Sequence, residues 1–310
     1  MIHEIGQIPV APPEFKSGFI GLIGRPNVGK STLMNQLVGQ KVAITSSVAQ
    51  TTRNRLRGIL TTEQSQMIFV DTPGIHKPHH ELAKVIVKNA QSTIDAVDVI
   101  LFIVDASTPA GGGDRYIVDL LQKSQVPTIV GLNKIDLVAE SQREKNRKTY
   151  QEIIPENWGE NLEFSAITGM GLEQLQQQLT AKLDYGPYYY PPDLVSDQPE
   201  QLIMAELIRE QILKHTREEI PHSVAIVIDR IEEQEELTTI MATINVERSS
   251  QKRILIGKKG AMLKQIGTAA RAEMQKIIAG KVYLELFVRV QSKWRESARQ
   301  VAEFGYFQED

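Results

Sequence analysis

Short apolar runs and a helical repeat alternate along the first part of the chain. Segments 18–23, 68–74 and 128–138 each contain an apolar run that predicts a buried strand, and each strand leads into a loop. The segment 30–39 has apolar residues at helical spacing: Leu33, Met34, Leu37 and Val38. The pattern therefore predicts a strand–turn–helix unit near the start of the chain.

The pattern changes after residue 200. It predicts a helix at 201–219, strands at 223–231 and 238–247, helical periodicity on both sides of a GKKG sequence at 257–260, and a strand at 281–290. The resulting order is helix, strand, strand, helix, helix, strand. Because this order differs from the first part, the 310 residues are expected to form two domains.

The boundary between the two patterns lies in a proline-rich stretch at 184–200 that no periodicity crosses. We predict a flexible arm at 1–16, a first domain at 17–185, a linker at 186–200, and a second domain at 201–310 that ends in a helix. Four tyrosines are expected to pack this stretch onto a domain: Tyr185, Tyr188, Tyr189 and Tyr190.

The composition excludes several classes of protein. The chain has no cysteine, which excludes disulfides and thiol catalysis. No apolar run approaches the ~18 residues that a membrane span needs, and the N-terminal arm lacks the apolar core of a signal peptide. These features predict a soluble intracellular enzyme.

The net charge of −3 conceals an asymmetry within the second domain. Residues 206–247 include ten acidic and four basic side chains, whereas residues 248–295 include twelve basic and two acidic ones. Basic side chains at that density indicate a surface for a polyanion such as nucleic acid.

The turn between the first strand and helix has the sequence GRPNVGKS, Gly24–Ser31. Such a turn ends at a helix N-terminus, where free N–H groups and the helix dipole favour a phosphate. We expect Lys30 to reach the β- and γ-phosphates of a nucleotide and the Ser31 hydroxyl to bind Mg²⁺. Gly24 and Gly29 would let the backbone approach the β-phosphate. The other nucleotide contacts predicted in this segment are Arg25, Pro26, Asn27, Val28 and Thr32.

The sequence DTPG follows the second apolar run. We expect Asp71 to hold Mg²⁺ through water and the Gly74 N–H to sense the γ-phosphate. Thr72 and Pro73, which lie between them, are included among the predicted nucleotide contacts.

A threonine of the sequence AQTTRNR is expected to bring its hydroxyl to Mg²⁺ and its carbonyl to the attacking water. Thr51 and Thr52 both qualify. Thr52 is favoured by the resemblance to GTPases that is described below, because those proteins usually carry this threonine directly before an arginine, which is Arg53 here.

The sequence NKID, ~60 residues after DTPG, specifies guanine. The Asn133 amide suits the N7 and O6 edge, and the Asp136 carboxylate can accept N–H bonds from N1 and the 2-amino group. Adenine offers neither donor there, so such a site rejects ATP. The Lys134 stem can lie over the base. In the later pair Ser165–Ala166, the Ala166 N–H would contact O6.

The water-positioning group is the open question of this site. Many small GTPases place a glutamine directly after DxxG, but this chain has Ile75, which cannot orient water. In several related GTPases an asparagine at the position of Asn27 helps to hold an activating K⁺. The other interpretation of Asn27 is an asparagine that tolerates a turn conformation. The predicted catalytic residues are Lys30, Thr52, Gly74 and Asn27.

Three nearby histidines, His76, His79 and His80, are interpreted as part of a polar loop rather than as a metal site.

The GKKG sequence, with its basic flanks, predicts contact with RNA. Gly257 and Gly260 would let the loop pass close to a nucleic-acid backbone, where Lys258 and Lys259 meet phosphates. An adjoining apolar groove would hold about four unstacked bases. The predicted RNA-binding residues are Ile256, Gly257, Lys258, Lys259, Gly260, Met262 and Lys264.

With these motifs in this order, the chain resembles the Era family of bacterial GTPases from about residue 17 to residue 295. The strings that carry the resemblance are GRPNVGKS, AQTTRNR, DTPGIHKP, NKID, SAITGMGL, ILIGKKGAMLKQIGTAAR, KVYLELFVRV and KWRES. The resemblance implies an α/β P-loop GTPase domain, with a mostly parallel sheet flanked by helices, followed by an α+β type II KH domain.

The resemblance also implies a function. It implies binding near the 3′ end of small-subunit ribosomal RNA, assistance in assembly of the small ribosomal subunit, and peripheral association with the inner membrane. We further expect a monomer. GTP and Mg²⁺ would order the loops around Thr52 and 71–74, and hydrolysis would release them.

Two other classes stay open. One is a signalling or membrane-linked switch whose second domain contacts protein, and the basic loop argues against it. The other is an RNA-binding scaffold with a vestigial GTPase site, and the intact set of five segments argues against that.

Overall fold

The computed structural model describes residues 8–45, 56–72, 92–159 and 161–306. The chain divides into two compact units, with the main boundary between Asp197 and Gln198. Among the described residues, every helix is too short or too polar to span a bilayer.

The first unit is built on a six-stranded sheet. Its strands are β1 (Lys16–Ile23), β2 (Leu56–Thr61), β3 (Ser65–Asp71), β4 (Val99–Asp105), β5 (Thr128–Asn133) and β6 (Leu162–Glu163). The order across the sheet is β2-β3-β1-β4-β5-β6, and all neighbours are parallel except β2 and β3. The helices fully described in this unit are α1 (Lys30–Val38), α2 (Gly112–Leu121), α3 (Glu140–Gln151) and α4 (Leu172–Lys182). The predicted α/β fold with a mostly parallel sheet is confirmed.

Strand β4 shows why this sheet lies at the centre of the unit. The six residues from Val99 to Val104 are all apolar and have no exposed surface, as expected for a parallel strand covered on both faces. The carboxyl ends of parallel strands meet at one edge of such a sheet. Asp71, Asp105 and Asn133 end β3, β4 and β5 there, so this edge collects the polar residues of the unit.

The tyrosine-rich stretch packs onto the first unit. The ring centroids of Tyr188 and Phe15 lie 4.2 Å apart. The N–H of Ile59, in the edge strand β2, donates to the Val195 carbonyl at 2.9 Å. The expectation that tyrosines pack this stretch onto a domain is therefore confirmed for Tyr188.

The start of the first unit differs from the predicted boundary at residue 17. Phe15 is buried and β1 begins at Lys16. Because burying an aromatic ring fixes the backbone around it, these two residues belong to the first unit rather than to a flexible arm.

The second unit contains a three-stranded sheet and helices on one of its faces. Its elements are α5 (Glu200–His215), α6 (Ile220–Ser223), β7 (Ala225–Glu233), β8 (Leu237–Val246), α7 (Ser249–Ile256), α8 (Ala261–Met274), β9 (Lys281–Val290) and α9 (Ala298–Glu303). The strand order is β7-β8-β9, with β7 antiparallel and β9 parallel to β8. Apart from the short insertion α6, the order from α5 to β9 is the predicted type II KH order.

The predicted helix at 201–219 was too long. Helix α5 ends at His215, where the Thr216 hydroxyl donates to the Ile212 carbonyl at 2.7 Å and Glu218 takes a left-handed φ of 60°. The short α6 then occupies the predicted start of the next strand, so β7 begins only at Ala225.

The core of the second unit follows the alternation of β8. Every second residue of this strand is fully buried: Ile240, Ala242, Ile244 and Val246. These side chains pack in one cluster with residues of α5, α8 and β9. A three-stranded sheet with an apolar face covered by helices is a stable layered arrangement.

Candidate nucleotide site and nucleic-acid surface

In the predicted phosphate-binding turn between β1 and α1, neighbouring residues limit the space at two glycines. Gly29 caps the start of α1 with a left-handed φ of 104°, and a Cβ there would collide with the Asn133 side chain. A Cβ on Gly24 would collide with the Ile103 carbonyl. The two glycines were predicted to make room for a phosphate, and the structure adds that a Cβ would meet backbone at Gly24 and a side-chain amide at Gly29.

Lys30 is buried at the first position of α1. Its ammonium donates to the Gly24 carbonyl at 3.1 Å and to the Arg25 carbonyl at 3.0 Å. Burial lowers the pKa of Lys30 to about 8, and the nearby Asp71 carboxylate counteracts part of this effect. The carbonyls thus hold this cation at the turn, where a phosphate group would also favour its charged form.

Ser31 and Asp71 meet at the ends of α1 and β3. The Ser31 hydroxyl donates to Asp71 Oδ2 at 2.5 Å, and the neighbouring Thr72 hydroxyl donates to the Leu22 carbonyl at 2.8 Å. A hydroxyl beside a carboxylate supplies the hard oxygen donors that Mg²⁺ prefers, so the residues fit the predicted metal. Thr52, Pro73 and Gly74 lie outside the described residues, as do Thr51, Ile75 and the three histidines.

Asn133 connects three of the five segments that were predicted to surround the nucleotide. Its amide donates to the Val28 carbonyl at 2.8 Å, while its Oδ1 accepts the Lys134 N–H at 2.7 Å and the Ala166 N–H at 2.9 Å. Sequence reasoning assigned the Ala166 N–H to guanine O6, whereas here it donates to Asn133. Asn133 therefore fixes the positions of the P-loop and of both base-binding segments at once.

Two other predicted base-site residues differ in exposure. Asp136 is exposed in a short 3₁₀ turn, Ile135–Leu137, where its carboxylate faces water. Ser165 is buried, and its Oγ accepts the Thr168 N–H at 3.1 Å. Ser165 thus shapes the loop that carries Ala166.

Lys134 has a partner that the motifs did not indicate. It adopts a left-handed φ of 66°, and its Nζ contacts Asp105 Oδ2 at 2.6 Å. Burial alone would raise the pKa of Asp105, but hydrogen bonds from Lys134 and Ser107 and the charge of Lys134 hold it below its usual value. This ion pair fixes the Lys134 stem, which was predicted to lie over the base.

The remaining predicted residues of the P-loop differ in exposure. Arg25 forms an ion pair with the buried Asp114, with Nε and Oδ1 2.7 Å apart. Asn27 is exposed and has a left-handed φ of 64°, a conformation that asparagine tolerates well. Val28 is buried, whereas Pro26 and Thr32 are partly exposed.

The GKKG loop of the second unit joins α7 to α8 through a short 3₁₀ turn. Gly257 has φ 71° and ψ −179°, and a Cβ there would lie 2.8 Å from Met262 Cβ. Gly260 has φ 80°, but a Cβ there would meet nothing within 4 Å. Lys258 and Lys259 are both exposed. The loop therefore carries two exposed cations between two glycines whose positive φ favours glycine.

The other residues predicted for RNA contact lie on both sides of this loop. Ile256 ends α7 and is partly exposed, and Lys264 is exposed on α8. Met262 is partly exposed and packs against the core cluster. The structure thus places an apolar surface next to the two lysines, as the sequence indicated.

Together, the fold and these two sites define a P-loop GTPase domain followed by a type II KH domain. A family model described as "50S ribosome-binding GTPase" matches residues 19–134, and a KH domain model matches residues 219–295.

Known relatives are similar to this chain over both domains. The chain is 63% identical over 303 residues to GTPase Era of Rippkaea orientalis, covering 98% of this chain and 96% of that protein. It is 37% identical to the crystal structure of an Aquifex aeolicus Era point variant bound to GDP·AlF4⁻, with a TM-score of 0.88, 94% of this chain and 99% of that one covered. A second Era structure, in complex with MgGDPNP and nucleotides 1506–1542 of 16S ribosomal RNA, gives 37% identity and a TM-score of 0.89 with the same coverage. The chain belongs to the GTPase Era family and is a GTPase.

Proposed function

We propose that this GTPase binds ribosomal RNA near the 3′ end of the small-subunit rRNA and assists assembly of the small ribosomal subunit. The observation that carries the proposal is the presence in one chain of a formed phosphate-binding turn and an exposed GKKG loop. An Era relative, similar over 94% of this chain, was solved with both MgGDPNP and a 16S rRNA segment, which supports the same pair of ligands here.

In the first unit, Lys30 would bind the β- and γ-phosphates of GTP. Ser31 and Asp71 would hold Mg²⁺, which neutralises charge on the phosphates. Asn133 and Asp136 would read guanine, with Lys134 over the ring. Thr52 and Gly74 are proposed to sense the γ-phosphate, with Thr52 also contacting the metal.

In the second unit, the GKKG loop would contact the RNA backbone. The exposed ammonium groups of Lys258 and Lys259 suit phosphates, and the partly exposed Ile256 and Met262 suit unstacked bases. Phosphate contacts give affinity without sequence information, so the apolar surface beside the loop would supply the preference for one RNA segment.

The test measures RNA binding with the GTP analogue GDPNP and with GDP, at fixed salt. The RNAs are the 3′-terminal segment of small-subunit rRNA and a scrambled segment of the same composition. We expect tighter binding of the natural segment, dependent on GDPNP and lost in a Gly257→Asp/Gly260→Asp variant. Gly305→Asp, compared with Gly260→Asp alone, is the control: both glycines have open space at Cβ and a positive φ, 85° and 80°, and each variant gains one negative charge.

Equal binding of both RNAs, falling steeply with salt, would reject the proposal, because it would show only non-specific attraction of a basic patch. If the protein prefers the natural RNA segment but binds it with the same affinity in the presence of GDPNP and of GDP, only the proposed control of RNA binding by the nucleotide is rejected.

We also propose that K⁺ beside Asn27 speeds hydrolysis in place of a water-orienting glutamine. GTP turnover is then expected to be faster in KCl than in NaCl at matched ionic strength, and equal turnover would refute the idea. The monomeric state, the cytoplasmic location and peripheral contact with a membrane are proposals that rest on the family resemblance alone.

A further inference from the structure

The start of α2 is tied to the P-loop by a buried carboxylate. Asp114 has no exposed surface, and its Oδ1 accepts a hydrogen bond from Arg25 Nε at 2.7 Å. The other oxygen, Oδ2, accepts the Gly111 N–H at 2.8 Å. One carboxylate therefore fixes both the first turn of its own helix and a side chain of the phosphate-binding turn.

The glycines before Asp114 give the arginine room to reach it. A Cβ on Gly113 would lie 2.7 Å from Arg25 Cδ, closer than carbon atoms in contact approach each other. A Cβ on Gly112 would meet nothing within 4 Å. Of these two adjacent glycines at the start of α2, only Gly113 is needed for the path of the Arg25 side chain.

The backbone of Arg25 leads from this ion pair to the phosphate-binding cation. Its carbonyl accepts a hydrogen bond from Lys30 Nζ at 3.0 Å. Arg25 is thus held at its guanidinium by Asp114 while its carbonyl holds Lys30. If Asp114 no longer held the guanidinium, the Arg25 backbone carbonyl that orients Lys30 would be less firmly positioned.

We propose that Asp114, acting through Arg25, is a positioning residue that holds Lys30 ready for the phosphates of the nucleotide. This inference rests on the proposed role of Lys30. Hydrogen bonds between charged groups are short and directional, and holding a binding group in place before the ligand arrives lowers the cost of binding. No segment of the nucleotide-binding motifs includes Asp114 or Gly113.

The first test uses two alanine substitutions in adjacent helical positions. Gly113→Ala pushes the Arg25 stem aside without removing a charge, whereas Gly112→Ala adds the same methyl group into open space. Alanine is a better helix former than glycine, which offsets part of the cost of displacing Arg25 from the buried Asp114, so the Kd values are compared at a temperature well below the nucleotide-free melting temperature of both variants. We expect the Kd for Mg·GDP to rise about tenfold in Gly113→Ala, by analogy with the cost of slightly misplaced groups, and to stay unchanged in Gly112→Ala.

The second test is a double-mutant cycle between Asp114→Asn and Arg25→Met. Each single variant should raise the Kd for Mg·GDP about tenfold, and the double variant no further, because both remove one interaction. Asp119→Asn is the matched control, since Asp119 is an exposed carboxylate on the same helix. Additive effects, or a Kd for Gly113→Ala within about twofold of that for Gly112→Ala, would overturn the inference.

A Lys30→Ala arm separates this inference from the proposed function of the site. If Lys30→Ala abolishes GDP binding while the Asp114 and Gly113 variants bind normally, Lys30 binds phosphate without help from Asp114. If Lys30→Ala also binds GDP normally, the proposed role of Lys30 itself is wrong.

Discussion

The two glycine loops of this chain use the same residue in different surroundings. In the P-loop, a Cβ on Gly29 would collide with Asn133, a residue from the end of β5. In the GKKG loop, a Cβ on Gly257 would meet Met262, which lies at the start of the next helix. The P-loop is therefore held in place by a segment distant in sequence, whereas the GKKG loop contacts its own neighbours in sequence.

This difference predicts how damage spreads. Asn133 is bonded to the P-loop and to the Ala166 segment, so a change at Gly29 should disturb the phosphate end and the base end together. A change at Gly257 should remain within α7, the loop and α8. Two other glycines serve as references without a collision: Gly39, at the C-terminal end of α1, and Gly260, in the GKKG loop, both have a left-handed backbone and open space at Cβ.

The largest effect is expected for Gly29→Ala. Its methyl group would force Asn133 away from the Val28 carbonyl, so we expect the Kd for Mg·GDP to rise about 100-fold, as for groups displaced by about 1 Å. Gly39→Ala is the control: its φ is 75° with nothing within 4 Å of a Cβ. It should cost ~1–2 kcal/mol of stability and leave the affinity unchanged. Calorimetric titration with GDP measures both variants, and equal affinities would contradict long-range closure of this loop.

The buried position of Lys30 predicts a pH dependence of nucleotide binding. Its pKa is lowered by burial to about 8, and bound phosphates favour the charged ammonium. Binding above pH 8 therefore requires proton uptake, so the Kd for GDP should rise about tenfold between pH 7 and pH 9 through linkage. Lys30→Met is the control: it should bind more weakly and lose this part of the pH dependence.

The stability of the nucleotide-free protein should change in the opposite direction. The ordinary pKa of lysine is 10.5, so the unfolded chain binds more protons than the folded one between about pH 8 and pH 10.5. The Lys30 contribution to the free energy of unfolding therefore increases with pH in that window.

The binding prediction has its own contrary outcome. If the Kd of the wild type for GDP changes with pH no more than the Kd of Lys30→Met, Lys30 keeps its charge in the nucleotide-free protein.

Local patterns were sufficient for much of the fold. The bounds of β9, 281–290, were predicted correctly, because an apolar run between a glycine and a polar turn marks both ends. The end of α5 was missed because it depends on the left-handed backbone of Glu218, which periodicity does not reveal. Residues 15 and 16 were assigned to an arm because a single phenylalanine shows no pattern until its partner Tyr188 is known.

The residues of the candidate site also fall into two groups, those that the motifs predicted and those that only the structure revealed. Ser31, Asp71, Asn133, Val28 and Ala166 were each predicted from motif chemistry as contacts of the nucleotide or the metal. The structure places Ser31 against Asp71, and Asn133 against Val28 and Ala166. Asp105 and Asp114 were missed, because a single acid after an apolar run or a glycine run is common in proteins. Their significance comes from Lys134 and Arg25, which only the tertiary fold brings to them.

The smallest effect on nucleotide affinity is expected in the GKKG loop, where Gly257→Ala is compared with Gly260→Ala. The chain has two tryptophans. A Trp158→Phe background leaves Trp294, buried in the second unit, as the fluorescent reporter of that unit. Gly257→Ala adds a collision with Met262 to a backbone conformation that is essentially limited to glycine, so we expect a loss of ~2–4 kcal/mol of stability. Gly260→Ala carries only the left-handed backbone cost of ~1–2 kcal/mol.

In both variants the Kd for GDP should stay at the wild-type value, because the loop is built locally. RNA affinity should fall more for Gly257→Ala than for Gly260→Ala, since the collision moves the end of α7 and with it Ile256. If Gly257→Ala weakened GDP binding as strongly as RNA binding, damage to the locally built loop would spread as far as damage to the P-loop. The contrast between the two loops would then be wrong.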